Sequence, residues 1–187
     1  METNNTTKTI LLENALFENN SENWKQPKKK QKRVVVEAAK WDFDETELDF
    51  QNIFRIIKGL HEKTCDEKDE KIQNIIARQI QTKISGYRSQ DSQKKLLDLD
   101  NFVDIERVFE LMAACNLDCY YCGKKVKILY EYVREPKQWT LERMDNDFGH
   151  NKDNLQIACL DCNIHRKTMY HERFLFTKQM GVIKKVE

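Results

Sequence analysis

Apolar residues recur at helical spacing through the first half of the chain and at strand spacing through part of the second. Ile53, Ile56, Ile57 and Leu60 fall on one face of a helix, and Asp42 or Asp44 can supply its N-cap. Ile72, Ile76, Ile80 and Ile84 recur every four residues, which predicts a second helix ending near Gly86. Ile105, Val108, Phe109 and Met112 share one face of a third. Such stripes pack on one another or on a neighbouring module, and a homodimer interface formed by this helical region would carry the same pattern. The period then changes to two. Val126, Ile128 and Tyr130 alternate with polar or basic neighbours, and Trp139-Thr140-Leu141 and Leu155-Gln156-Ile157 read as short strands. Asp145-Asn146-Asp147-Phe148-Gly149, between the last two, is turn chemistry. No proline follows Asp161, so a further helix is expected there, with Ile164, Met169 or Tyr170, and Phe174 facing the core.

The pattern describes an α+β chain in three parts: an arm over 1–40, a mainly helical region over 41–114 and a small ββα module over 115–187. The arm is rich in Asn, Thr, Glu and Lys with one short apolar patch, a composition that favours disorder. A charged content of 34% and a mean hydropathy of -0.77 also call for a solvated portion beside a core. No apolar run approaches the roughly 20 residues of a membrane span, and the opening residues lack the basic-then-apolar order of a secretory signal. The expectation is an intracellular protein with no membrane partner. Net charge, +1, says little, but Lys28 to Arg33 packs five cations into six residues. That run resembles a nuclear localisation signal read by an import receptor, which would place the protein in a eukaryotic nucleus. It reads equally as a solvated charge run or an arm that grips phosphate.

Cysteine spacing changes the picture most. Cys119 and Cys122, then Cys159 and Cys162, frame residues 123–158 as two Cys-x-x-Cys pairs. In a reducing compartment this reads as a four-thiolate structural zinc site rather than disulfides. Cys65 and Cys115 stand apart as spectator thiols, though Cys115 is near enough in sequence to Cys119 to substitute as a ligand.

Between and just after the pairs lie Glu142-Arg143, Asn154 and, directly after the last thiol, Asn163. Together with the cysteines these residues resemble the HNH, or His-Me finger, endonucleases, in particular the zinc-braced kind typified by phage recombination endonuclease VII, and similar proteins of large DNA viruses. The resemblance covers Cys119 to Lys167. It implies a treble-clef module in which Glu142 and Asn163 hold a catalytic magnesium or manganese ion and Asn154 braces the hairpin loop. The implied activity is metal-dependent hydrolysis of DNA, branched or nicked. The alternative is a fold that keeps its zinc and binds nucleic acid, or serves in assembly, without cutting. Arg143 occupies the position of the family's general-base histidine. A guanidinium cannot accept a proton, so Arg143 could bind phosphate or stabilise charge but not activate water.

His150, just after Gly149, is the nearest replacement base, with Asp145 and Asp147 close by to orient it or join a metal shell; its plainer reading is a loop histidine bonded to backbone. Asp145 and Asp147 themselves fit turn formers. His165 is turned away from Asn163 on a helix, and His61 and His171 read as surface residues. Lys124, Lys125, Arg166, Lys167 and Arg173 are the candidate nucleic-acid contacts, each equally readable as a solubilising charge.

Overall fold

In a computed structural model the residues described are 33–35, 43–44 and 46–180. The arm expected over 1–40 lies outside them except for Arg33 to Val35, so of the basic run only Arg33 is described. Val35 N donates to Glu131 O at 2.7 Å and Val133 N to Arg33 O at 2.8 Å, which pairs this short stretch with Glu131–Val133.

Helix α1 spans Phe50–Glu62. Its cap is Asp49, whose carboxylate accepts from Gln51 N; the expected caps lie earlier, and Asp44 instead closes the preceding turn by accepting from Glu47 N at 2.8 Å. A short 3-10 turn, Glu67–Asp69, leads into α2, Glu70–Lys94. The expected end at Gly86 is a correction: α2 runs on for two more turns and stops at Lys95, which takes the left-handed conformation at φ 59°. Glycine weakens a helix by roughly 1 kcal/mol, too little to stop one whose later turns are packed. Tyr87 and the fully buried Asp91 supply that packing. Helix α3, Ile105–Ala114, is capped by Asp104.

The three apolar helical stripes are covered within a single chain. Ile57, Ile76, Ile80, Val108 and Met112 are completely buried in one core that also takes in Leu117, Val126, Trp139, Leu141, Ile157 and Phe174. The helical region and the cysteine module therefore share a core. Each such side chain contributes about 1.5–3 kcal/mol by leaving water.

The sheet has two antiparallel strands, β1 (Trp139–Arg143) and β2 (Leu155–Cys159), with Trp139 opposite Cys159 and Arg143 opposite Leu155. Val126 and Ile128 point inward as their alternation predicts, but their stretch pairs only through isolated bridges at Lys125 and Lys127 and forms no strand. The helix expected from Asp161 is two helices, α4 (Leu160–Arg166) and α5 (His171–Met180), broken where Lys167 adopts φ 54°. The expected inner face also changes: Ile164 is 54% exposed and Tyr170 82%, whereas Cys162 and Arg166 are buried. Cys162 turns inward toward the other thiols, and Arg166, four residues on, shares its side of α4. Phe174 does reach the core, edge-on to Tyr121 at 4.8 Å. Among the described residues no helix is long and apolar enough to cross a membrane.

Candidate functional site

The four paired cysteines converge. The thiol sulfurs of Cys119, Cys122, Cys159 and Cys162 all lie within 4.8 Å of one another. Four sulfurs at about 2.3 Å from a tetrahedral zinc would be separated by about 3.8 Å, and Cys122 Sγ and Cys159 Sγ are 4.0 Å apart. The backbone is shaped around the sulfurs. Gly123 closes the first turn at φ 62° with its N–H on Cys119 O, Cys159 N points at Cys119 Sγ (3.2 Å), and Cys162 N points at Cys159 Sγ (3.5 Å). Four thiols this close cannot ionise independently. The hydrogen bond from Cys159 draws Cys119 down to about 5 while pushing Cys159 up, and burial lifts Cys162 to about 12. A soft divalent cation is the group that lets all four be thiolates, so the donor set fits a structural metal such as zinc. Cys115 stays outside, its thiol donating to Met112 O, and Cys65 is exposed.

β1, β2 and α4 carry a second arrangement beside the cluster. The loop over residues 144–154 is fastened by Asn154, whose Oδ1 accepts from Asp145 N (2.8 Å) and whose Nδ2 donates to Asp145 O and Gly149 O. Asp145 makes a turn by accepting from Asp147 N, and Arg143 donates Nη1 to Asn146 O and Phe148 O. Asp145 and Asp147 thus shape the turn and do not touch His150; the residue that orients it is Asp91, on α2.

His150 N donates to Asp91 Oδ2 at 2.6 Å, and Nδ1 lies 2.9 and 3.0 Å from the two carboxylate oxygens. The ring stacks on Tyr87 at 4.4 Å between centroids. Burial pushes the imidazole below its ordinary value, a shift that Asp91 opposes without reversing. His150 is therefore neutral at pH 7, with Nδ1–H on the carboxylate and Nε2 as the acceptor. Gly149 is required for this approach. A methyl there would sit 2.4 Å from Leu96 O and 2.9 Å from Asp91 Oδ2. Spacing alone did not bring Asp91 forward, but a signal existed: it lies seven residues after Ile84, on the isoleucine side of α2, where an acid has no ordinary reason to be.

Glu142 and Asn163 are both on the wall of a cleft of about 560 Å³ between α2 and the β1–β2–α4 unit. Glu142 is 3% exposed, and its Oε1 takes a short hydrogen bond from Arg166 and a longer one from Tyr121. Burial pushes its carboxyl up, with Arg166 pulling the other way. Asn163 Nδ2 reaches Thr140 Oγ1 at 3.4 Å. As a binding pair for a hard divalent ion these two do not fit in this arrangement, because the carboxylate's charge is already matched by a guanidinium.

Arg166 also donates to Arg143 O (2.8 Å) and Met144 O (3.1 Å), so the expected surface cation is an internal tie between α4 and the end of β1. Lys167 is exposed at the cleft. Lys124, Lys125 and Arg173 are exposed elsewhere, and Lys125 is taken up by Asp118 (3.0 Å) and the Phe50 ring. In their place the cleft gains Lys83 and Lys94 from α2. Lys83 sits over the rings of Trp139 and Tyr130 and donates to Trp139 O and Gln138 Oε1; burial lowers it to about 7. With Arg143, Arg166 and Lys167 this makes five basic side chains around one carboxylate. His165 is exposed and His171 Nδ1 lies 3.2 Å from Met144 O, so neither joins the cleft.

No family model matches the chain, and neither a curated protein nor a solved structure does.

Proposed function

We propose that the protein is a nucleic-acid phosphodiester hydrolase of the HNH type, its zinc structural, acting on DNA in the cleft between α2 and a treble clef. The turn at Cys119–Cys122, the β1–β2 hairpin and α4 opening on Cys162 have the order of that fold. The observation that carries the activity is His150 on the wall of a cleft lined by basic side chains, its Nδ1 held by the buried Asp91. A neutral imidazole anchored in this way can take a proton from water as the water attacks phosphorus and the P–O bond to the leaving sugar oxygen breaks, that oxygen then taking a proton from solvent. Lys94, Lys167 and the remaining donors of Arg143 can stabilise the charge that builds on the phosphoryl oxygens. Asp91 is a positioning residue, fixing the tautomer. The structural metal would hold Cys159 and Cys162 and so set the angle between β2 and α4, keeping Asn163 at the cleft. Magnesium or manganese remains part of the proposal as a requirement to be tested, with Asn163 an uncharged oxygen donor on the cleft wall.

The test is cleavage of supercoiled plasmid and branched DNA with magnesium or manganese. Wild type cuts, while His150→Gln and Asn163→Ala lose at least about 100-fold with zinc content unchanged. Full activity in either variant removes that residue from the mechanism. A second reading, favoured by the Glu142–Arg166 pair, is a zinc protein that binds nucleic acid without cutting; gel-shift binding with no cleavage across divalent ions selects it.

A further inference from the structure

Gly86 lies in the interior of α2, and the fold gives no reason for it. Its backbone is helical, it is exposed, and a methyl built on it would meet no heavy atom within 4 Å. Glycine is the weakest helix former after proline, and the usual excuses for it, a left-handed φ or a close neighbour, are absent here. Gly149 shows the contrast, since there the neighbouring backbone forbids a side chain. Gly86 faces the cleft, between Lys83 on one side and Gln90 and Lys94 on the other. From Lys83 to Lys94 the helix rises about 16 Å, the axial length of roughly five phosphates on one strand.

We propose that a nucleic-acid backbone runs along the cleft face of α2 over Gly86, from Lys83 to Lys94, so that the helical region supplies one wall of the substrate site. The missing side chain is clearance for a strand lying directly on the helix. Lys94 is exposed and pairs its charge with phosphate; Lys83, held against Trp139 and Tyr130, marks the other end of the track. The proposal rests on the nucleic-acid part of the reading above and is independent of hydrolysis.

Binding of labelled single-stranded and duplex oligonucleotides to the zinc-loaded full chain, without added magnesium, tests it. Gly86→Phe is expected to weaken binding at least about tenfold while leaving the thermal midpoint within a few degrees; Gly86→Ala raises that midpoint by about 2–4 °C. Should Gly86→Phe fail to fold, Lys94→Glu, a surface change at the far end of the track, loses about tenfold and lowers the salt dependence by about one counterion. Arg88→Glu, exposed on the same helix but off the cleft, stays within about twofold. Wild-type binding with Gly86→Phe or Lys94→Glu unaffected overturns the α2 track and leaves the nuclease reading standing. A wild-type chain that binds neither oligonucleotide overturns both.

Discussion

The β1–β2–α4 unit carries two polar centres built in opposite ways. At the cysteine cluster four identical side chains turn inward to one point, and backbone N–H groups turn with them. At the cleft His150, Arg143, Glu142 and Asn163 differ in kind, and each is fixed by a different partner: His150 by Asp91, Arg143 by loop carbonyls, Glu142 by Arg166, Asn163 by Thr140. The first centre fits an external ion, because four packed thiolates would repel one another without one. The second is held by hydrogen bonds within the chain, with Lys94 and Lys167 exposed at its rim. On the function proposed above, that difference separates a frame from a working surface.

Removing the metal should have the largest effect. Structural zinc in small modules is worth about 10–16 kcal/mol of binding, so a chelator or Cys159→Ser is expected to unfold the module over 115–180. Loss of one zinc per chain together with the cooperative thermal transition checks this, and an unmoved transition would break the distinction between frame and surface. Next comes Glu142→Ala. It leaves Arg166 buried at 2% exposure without its partner, costing about 3–5 kcal/mol by chemical denaturation. The double change Glu142→Leu with Arg166→Met should recover most of that, as an internal tie would and a metal ligand would not.

Gly149→Ala acts on the join between the two halves of the cleft. Overpacking against Leu96 O and Asp91 should cost about 1–3 kcal/mol, and the His150 imidazole, followed by NMR titration, should move back toward its ordinary value. The smallest effect is on pH dependence. His150 is lowered from 6.5, so just below that pH the unfolded chain binds the proton that the folded one refuses. Stability should therefore fall as pH drops through 6.5 toward the folded value, and His150→Gln should flatten that part of the curve.

How much of this was legible in sequence follows the same division. The cysteine pairs are local repeats whose spacing is itself the geometry, so the cluster could be read directly. The hairpin strands and the inward isoleucines were readable too, since periodicity reports burial. Asp91 and His150 meet across 59 residues, and nothing local marks such a pair except a carboxylate on an apolar stripe. A helix that ends at Gly86 stops short of that clue, because a glycine's low propensity weighs less than packing that only the folded chain reveals. The same blind spot affected Arg166, which looked like a surface cation because its partner, Glu142, lies 24 residues away on another element.

The most direct test is the pH–rate profile of DNA cleavage by the zinc-loaded protein. If neutral His150 is the base, the rate should rise with pH along a limb whose midpoint lies below 6.5 and reach its plateau by neutrality, and His150→Gln should lose the limb along with about 100-fold or more of the rate. A flat profile, or a His150→Gln enzyme that keeps both the limb and the rate, would contradict the account.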